Sequence, residues 1–249
     1  MKKSLLICAE SGAGKTTSIA CLKDQPVTVL DFESGSNVLA NQLSESDKMK
    51  IVGCYDTHEF TVNATSEMRN KRRTALTKIK ELKALETMTQ TLNKVTNDPN
   101  HIVVVDTLTA LGAAYLRRTC HLAGRTIPQL SDYNDPASEL DVCVSVLCSH
   151  EFQPSVVCLT HINYIQDEKD TGKDASVTPV RGYPNAVGKK LSYTLGRHFN
   201  NIFAIKAFGS KRTFVTEGTE AGVHCKSERK FPELLVENGL RVFFNLEAK

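Results

Sequence analysis

The sequence predicts an α/β fold in which helices cover both faces of a mostly parallel, twisted β-sheet. One observation behind this prediction is a glycine-rich segment, residues 9–16, that lies between an apolar run and a helical pattern. Another is the alternation of short apolar runs with helical or polar segments. The runs are nearly continuous in Val, Ile and Leu, which is typical of strands buried on both sides. They occupy residues 5–8, 27–30, 101–105, 156–159 and 202–207.

Length and composition fit a single domain over residues 1–249. Of the 249 residues, 41% are hydrophobic and 24% are charged, which is ordinary for a globular protein with one large core. The net charge of +3 does not by itself indicate a polyanionic partner, although a local basic patch would suffice to bind one. No apolar run approaches the length of a membrane span, so we expect no membrane partner.

The eight cysteines show neither a CxxC pair nor a spacing typical of a zinc site. Several of them lie in apolar, strand-like runs. We therefore predict free, buried thiols and a reducing, cytoplasmic location.

A long amphipathic helix is predicted over residues 65–95, because the apolar residues there keep an approximate helical spacing. These residues are Leu76, Ile79, Leu82, Leu85, Met88 and Leu92. The start of this segment is basic, which indicates either a solvated helix face or a surface that contacts phosphates. The basic residues are Arg69, Lys71, Arg72 and Arg73.

Three other segments complete the predicted outline. Residues 126–141 are rich in Pro, Asp and Asn and predict a loop, and a helix is predicted over residues 137–150. Residues 166–184 predict a long polar loop, a feature that is usually functional in a compact domain. Residues 213–216 and 241–245 predict β-hairpin additions at the end of the sheet.

The segment Ala9-Glu10-Ser11-Gly12-Ala13-Gly14-Lys15-Thr16 predicts a phosphate-binding loop. A strand that runs through a glycine-rich turn into a helix leaves several backbone N–H groups free to bind an anion. Lys15 would contact the β- and γ-phosphates, and the Thr16 hydroxyl would hold Mg²⁺. Ala9 replaces the usual first glycine, which requires a negative φ at this residue. The residues expected to bind ATP are Glu10, Ser11, Gly12, Ala13, Gly14, Lys15, Thr16 and Thr17.

Acidic residues end two of the predicted strands. Asp106 follows the apolar run 101–105, where a carboxylate beside a phosphate loop would hold the Mg²⁺ shell. Asp31 and Glu33 end the second strand, and a carboxylate there can activate the water that attacks the γ-phosphate. Both side chains would point to the same face of an extended strand, so spacing alone does not choose between them.

Polar residues also end the run 156–159. Thr160 or His161 could detect the γ-phosphate through a hydrogen bond that forms only in the triphosphate state. A structural role at the end of the strand is the alternative for either residue.

In this order, the four motifs resemble the core of RecA-type ATPases. The motifs are the phosphate loop, Leu30-Asp31-Phe32-Glu33, the segment from Ile102 to Leu111 and Val157-Cys158-Leu159-Thr160-His161. They are most similar to those of the small RecA-like ATPases of bacteriophages, a group that includes single-strand annealing recombinases, and the resemblance spans roughly residues 3–230. It implies a RecA-like P-loop NTPase core, in which Glu33 matches the catalytic glutamate, Asp106 the Mg²⁺-associated acid, and Thr160 or His161 the sensor.

The resemblance also implies a homo-oligomer, either a ring or a filament, with nucleotide at the subunit interfaces. In such assemblies basic residues of one subunit reach the γ-phosphate bound by its neighbour. Lys226-Ser227-Glu228-Arg229 resembles that Lys-x-Arg element with one additional residue, which makes Arg229 the first candidate and Lys226 the second. Besides Lys15, the recognised motifs of the same subunit supply no cation, which agrees with a contribution in trans.

The function expected from this resemblance is ATP hydrolysis coupled to binding of single-stranded DNA, in phage recombination or replication. We expect residues 162–183 to carry the DNA-contacting loops, because they directly follow the sensor. Tyr164 and Tyr183 would stack on bases, and Lys169, Lys173 and Arg181 would contact phosphates.

Two other functions remain open at this point. One is a DNA motor, a helicase or a packaging ATPase, although no separate primase-binding, zinc or nuclease module is visible in the sequence. The other is a nucleotide-gated assembly scaffold with negligible turnover, which the presence of Glu33 argues against.

Overall fold

The apolar runs of the sequence form the central strands of an eight-stranded sheet. The computed structural model describes residues 2–60, 77–125, 127–166 and 180–246. The strands are β1 (Ser4–Cys8), β2 (Val27–Asp31), β3 (Lys50–Gly53), β4 (Thr57–Phe60), β5 (Thr77–Glu81), β6 (Ile102–Asp106), β7 (Ser155–Thr160), β8 (Ile162–Gln166), β9 (Val180–Pro184), β10 (Asn201–Phe208), β11 (Lys211–Val215), β12 (Gly218–Glu220), β13 (Val223–Cys225) and β14 (Leu234–Leu235). The helices are α1 (Lys15–Ser18), α2 (Asn37–Ala40), α3 (Ala84–Val95), α4 (Leu108–Leu122), α5 (Asn134–Cys148), α6 (Lys189–Thr194) and α7 (Gly239–Phe244).

The strand order of the central sheet is β14-β11-β10-β1-β7-β6-β2-β3. The six strands from β10 to β3 are parallel, whereas β11 runs antiparallel to β10 and β14 antiparallel to β11. The carboxyl ends of β1, β7, β6 and β2 therefore meet at one edge of the sheet, where ligands of open parallel sheets bind. This arrangement confirms the predicted fold class.

Apolar residues on both faces hold the sheet between two helical layers. Successive residues of a strand point to opposite faces, so Leu6 and Cys8 of β1 pack on one side and Leu5 and Ile7 on the other. The first core contains residues of α3, α4 and α5, and the second contains residues of α2 and α7 together with the 3₁₀ turn Ile19–Leu22. Burial on both faces explains why these strands read as continuous apolar runs.

All eight cysteines are free thiols, as predicted, and five of them are buried, whereas Cys21, Cys143 and Cys148 are partly exposed. Burial raises the pKa of Cys54 to about 12 and that of Cys225 to about 11, so these thiols stay protonated near neutral pH. In the described parts of the chain, no helix is both long and apolar enough to cross a membrane.

The predicted helix over residues 65–95 is partly wrong. Its second half forms α3, but Thr77–Glu81 is strand β5, which pairs antiparallel with β4. Asp56 determines where α3 begins, because its carboxylate accepts hydrogen bonds from the backbone N–H groups of Lys83 and Ala84 at the start of the helix. This contact spans 27 and 28 residues, so local spacing could not reveal it. The basic cluster 69–73 lies outside the described residues.

The loop predicted over residues 126–141 is also wrong in its second half, because α5 begins at Asn134. Two of the residues that suggested a loop, Asp135 and Pro136, lie in the first turn of the helix. Backbone N–H groups have no intrahelical partner there, so proline is tolerated and an acidic residue is favourable. The predicted helix over residues 137–150 corresponds to α5.

Two predictions near the C-terminal end of the sheet have different outcomes. Strand β11 confirms the hairpin predicted at residues 213–216, whereas residues 241–245 belong mainly to helix α7 instead of a strand. Arg241 fixes α7 against the rest of the protein through hydrogen bonds to the Cys21 carbonyl (2.9 Å) and the Asp24 carboxylate (2.7 Å). The helix then ends at Asn245, whose φ of 58° is left-handed.

The polar loop predicted over residues 166–184 is partly a strand. Strands β8 and β9 form an antiparallel hairpin, and residues 167–179 between them lie outside the described residues. The hairpin packs against the turn between β12 and β13 at Gly182, where an added Cβ would lie 2.1 Å from the Ala221 carbonyl oxygen. Gly222 on the opposite side is equally restricted, because its Cβ would lie 2.2 Å from the Gly182 nitrogen.

We predict that Gly182→Ala destabilises the protein by about 1–3 kcal/mol, because the two backbones must separate to accommodate the methyl group. Chemical denaturation monitored by circular dichroism measures this change. Gly35→Ala is the control, since a Cβ at Gly35 meets no atom within 4 Å. Equal stability of the two variants would contradict the close backbone contact.

Candidate active site

The phosphate-binding loop lies where the sequence predicted it, between the end of β1 and the start of α1. Gly12 (φ 75°) and Gly14 (φ 99°) adopt left-handed conformations that side chains rarely tolerate. Ala9 is fully buried and keeps a negative φ, and its N–H donates a hydrogen bond to the Thr160 carbonyl (3.2 Å). The departure from glycine at this position therefore leaves the loop intact.

Lys15 extends back across the loop instead of into solvent. Its ammonium donates hydrogen bonds to the carbonyl oxygens of Ala9 (3.0 Å) and Glu10 (2.9 Å) and lies 3.2 Å from Nδ1 of His161. Burial lowers the pKa of Lys15, and the nearby carboxylates of Glu33 and Asp106 oppose that shift. The site thus holds a buried positive charge whose partners are mostly neutral carbonyl groups.

Thr16 and Asp106 form the second element of the site. The Thr16 hydroxyl donates a hydrogen bond of 2.8 Å to the Asp106 carboxylate, which is almost fully buried at the end of β6. Burial raises the pKa of Asp106 to about 6, although the hydrogen bond from Thr16 counteracts it. A hydroxyl and a carboxylate are the hard oxygen donors that Mg²⁺ prefers, and Mg²⁺ usually completes its shell with water and phosphate oxygens. The residues present therefore fit the predicted Mg²⁺ site.

Glu33 and Asp31 point in different directions, contrary to the prediction from spacing. Strand β2 ends at Asp31, and Ser34 just beyond it has a φ of 60°. Asp31 is buried and accepts hydrogen bonds from Ser36, from Tyr55 and from the N–H of Glu33. Burial alone would raise the pKa of Asp31, but these hydrogen bonds lower it below its ordinary value. Asp31 therefore shapes the loop after β2.

Glu33 faces the phosphate-binding loop. Its Oε1 accepts a hydrogen bond of 2.5 Å from the Thr107 hydroxyl, and Nε2 of His161 lies 3.1 Å away. His161 therefore contacts Lys15 with one ring nitrogen and Glu33 with the other. Thr160 is fully buried, and its hydroxyl donates to the Asn185 carbonyl (3.1 Å). Of the two residues predicted for the sensor position, only His161 reaches the site.

These side chains surround a cavity of about 200 Å³ above the phosphate-binding loop. Arg212 of β11 also borders it, and the sequence analysis missed this residue. A Cβ added to Gly14 would lie 3.0 Å from Nη1 of Arg212, so the guanidinium rests against the loop itself. The sequence feature that could have revealed Arg212 is the Gly-Ser turn between β10 and β11. The basic residues that follow this turn are brought to the phosphate-binding loop. The cavity is lined by Ser11, Gly12, Gly14, Lys15, Thr16, Thr17, Glu33, Gly35, Val38, Asp106, His161 and Arg212.

Lys226 and Arg229 do not reach the cavity of their own subunit. Lys226 pairs through its backbone with Ile202 at the start of β10. Arg229 lies at the amino end of β1, where it affects Lys3 electrostatically and donates hydrogen bonds to the carbonyls of Val242 (2.9 Å) and Phe243 (3.4 Å). Neither residue therefore lines the nucleotide cavity of its own chain.

The residues predicted to contact DNA separate into three groups. Tyr164 on β8 donates a hydrogen bond of 2.7 Å to the Glu10 carboxylate, so it contacts the phosphate-binding loop. Arg181 and Tyr183 on β9 border a different cavity, which lies against α6 and β13. Lys169 and Lys173 lie outside the described residues.

A family model matches this chain, and several solved structures are similar to it. A family model of an AAA domain, AAA_24, matches residues 1–224. One similar solved structure is an ATPase from the type III secretion system of pathogenic bacteria, with 17% identity, a TM-score of 0.45, and coverage of 83% of this chain and 52% of that chain. Another is the assembled ATPase EscN from the type III secretion system of enteropathogenic E. coli, with 16% identity, a TM-score of 0.44, and coverage of 82% and 43%.

This chain spans about half the length of those two ATPases. No curated protein sequence matches it significantly. The family match covers most of the chain and contains the phosphate-binding loop, Glu33, Asp106, His161 and Arg212. The chain therefore belongs to the AAA domain family and is a P-loop ATPase.

Proposed function

We propose that this ATPase hydrolyses ATP with Mg²⁺ and couples hydrolysis to the binding of single-stranded DNA. The supporting observation is the position of the β8–β9 hairpin relative to the phosphate-binding loop. The hairpin begins directly after His161, which contacts Lys15, and its Tyr164 holds Glu10 of the loop. A phosphate that displaces Lys15 from its carbonyl partners would therefore alter the contacts of His161 and Tyr164, where the hairpin begins.

Each residue of the site has a defined role in this proposal. Lys15 leaves the Ala9 and Glu10 carbonyls to bind the β- and γ-phosphates, together with the backbone N–H groups of the loop. Thr16 and Asp106 hold Mg²⁺, which neutralises charge on the phosphate oxygens when it is bound. Glu33 orients and polarises the attacking water, and His161 reports whether a γ-phosphate occupies the site.

Arg212 supplies a second cation from the same subunit. Lys15, Glu33, Asp106 and His161 converge on the side of the loop that faces β6 and β2, where the γ-phosphate would lie. Arg212 approaches Gly14 from β11, on the other side of β1. We therefore assign it to the α-phosphate and nucleoside part of ATP instead of the γ-phosphate.

The organisation of the assembly is a further part of the proposal. We propose a single-domain subunit that forms a homo-oligomeric ring or filament, in which Arg229 or Lys226 contacts the γ-phosphate of a neighbour. We also propose that this activity serves recombination or replication of phage DNA in the cytoplasm of an infected bacterium. The support for this role is the resemblance of the sequence motifs to those of phage RecA-like ATPases.

The first test is steady-state ATP hydrolysis with and without single-stranded DNA. We expect a rate that rises with DNA in the wild type and falls at least about 100-fold in Lys15→Ala and Glu33→Gln, because transition-state contacts of this kind contribute on that scale. Glu33→Gln should still bind ATP. Glu45→Gln is the charge-matched control and should hydrolyse ATP like the wild type, because Glu45 is exposed and does not line the cavity. A Lys15-dependent rate that is indifferent to DNA would refute the DNA partner and leave the ATPase intact.

For Arg212 we predict that Arg212→Ala raises the Kd for a non-hydrolysable ATP analogue and the Kd for ADP by a similar factor of about ten. A charge-assisted hydrogen bond contributes about 1.5–3 kcal/mol when buried and less at this partly exposed site. Isothermal titration with both nucleotides measures the effect. Lys211→Ala is the control, because Lys211 pairs instead with Glu233 at 2.8 Å. Loss of ATP affinity alone would instead assign Arg212 to the γ-phosphate.

The pKa of Asp106 predicts a pH-dependent stability of the nucleotide-free protein. In the folded protein the pKa is raised from 3.8 to about 6, so the stability associated with this group falls as pH rises through 6. We expect Asp106→Asn to stabilise the protein by about 2–3 kcal/mol at pH 8 and by little at pH 4. Thermal unfolding at the two pH values measures this difference. If Asp106→Asn changed the stability equally at pH 4 and pH 8, Asp106 would not be a buried carboxylate that ionises between these pH values.

A further inference from the structure

A second cavity lies on the side of the β8–β9 hairpin that faces away from the phosphate-binding loop. It has a volume of about 510 Å³, within the range of roughly 300–1,000 Å³ that is usual for small-molecule sites. Strand β9, helix α6 and strand β13 form its walls. It is lined by Arg181, Gly182, Tyr183, Pro184, Ser192, Tyr193, Thr194, Gly196, Arg197, Ile202, Gly222, Val223, His224 and Lys226.

The lining of this cavity carries positive charge. Among the described residues, it contains Arg181, Arg197 and Lys226 and no aspartate or glutamate, although the whole chain has a net charge of only +3. Arg197 is partly neutralised by the carboxylate of Asp141 at 2.7 Å. The Lys226 side chain is exposed, and no carboxylate of the described residues pairs with it. The cavity therefore favours an anionic ligand.

Two tyrosines add an aromatic wall. Tyr183 and Tyr193 meet edge to face, with ring centroids 4.6 Å apart and an interplanar angle of 87°. Tyr193 is 46% exposed, so a planar group can reach its ring, while the contact with Tyr183 restrains the orientation of that ring. Aromatic faces beside cations are the combination that binds the bases and phosphates of single strands.

The backbone that supports the cavity is held closely. Gly182 and Gly222 bring β9 and the β12–β13 turn into direct contact, and the Lys226 backbone exchanges two hydrogen bonds with Ile202 (2.8 and 3.0 Å). Tyr183 and Lys226 therefore project from backbone segments that are in direct contact with neighbouring segments. Such preorganisation reduces the entropy lost on binding.

We infer that this cavity binds one nucleotide of a single-stranded nucleic acid, with the base against Tyr193 and the phosphate on Lys226. The inference rests on the proposed DNA partner, and it extends the binding surface to α6 and β13, beyond residues 162–183. It also gives Lys226 a role within its own subunit, at a site separate from the nucleotide cavity.

The test measures binding of a fluorescent 20-residue oligothymidine by anisotropy, with a non-hydrolysable ATP analogue present and at several salt concentrations. We expect Tyr193→Leu to weaken binding by about 5–150-fold, the range of base–aromatic stacking, and Tyr193→Phe to bind like the wild type. Lys226→Ala should reduce the slope of log K against log salt by about 0.7, because one phosphate contact is lost. Lys190→Ala is the charge-matched control, since Lys190 is exposed on α6 but does not line the cavity.

The possible outcomes separate this inference from the proposed function. If the wild type binds the oligonucleotide and Tyr193→Leu and Lys226→Ala bind equally well, the cavity is not the site and the DNA partner stands. If the wild type does not bind, both proposals are wrong. Sedimentation velocity of the same variants adds a third outcome. If they fail to self-associate where the wild type does, the cavity is a contact between subunits, and the inference is overturned.

Discussion

The interaction on which the site depends is the burial of the Lys15 ammonium beneath the phosphate-binding loop. A buried cation is costly unless hydrogen bonds and opposite charges compensate it. Here two carbonyls and a histidine ring contact it, while Glu33 and Asp106 act from a greater distance. Phosphate groups would compensate the same charge better than neutral carbonyls do, so the nucleotide-free arrangement already favours their binding.

The groups that surround the Lys15 charge come from the ends of four different strands. These strands must therefore end at the same edge of the sheet. Lys15 of the loop, Glu33, Asp106 and His161 are far apart in the sequence. The parallel order β1-β7-β6-β2 brings them together at one site. Strand β11 adds Arg212 from the opposite side of β1. The antiparallel turn after β10 is therefore part of the site and not only an extension of the sheet.

The sequence predicted the parts of the molecule that depend on local patterns. The parallel core and the placement of Lys15, Thr16, Asp106 and Glu33 around one loop follow from apolar runs and motif order. Contacts between distant segments account for what was missed. Asp56 sets the start of α3 from 27 residues away, Arg241 docks α7 onto Cys21 and Asp24, and Arg212 reaches Gly14 across the sheet. None of these contacts has a periodicity that a sequence pattern could display.

The β8–β9 hairpin connects the two cavities of the protein. Tyr164 on β8 holds Glu10 of the phosphate-binding loop, and Tyr183 on β9 forms part of the second cavity together with Tyr193. Gly182 lies opposite Tyr164 in the hairpin and contacts the β12–β13 turn closely. A ligand that shifts the hairpin at one cavity would therefore change contacts that border the other. By thermodynamic linkage, any effect of ATP on binding in the second cavity equals the effect of that ligand on ATP.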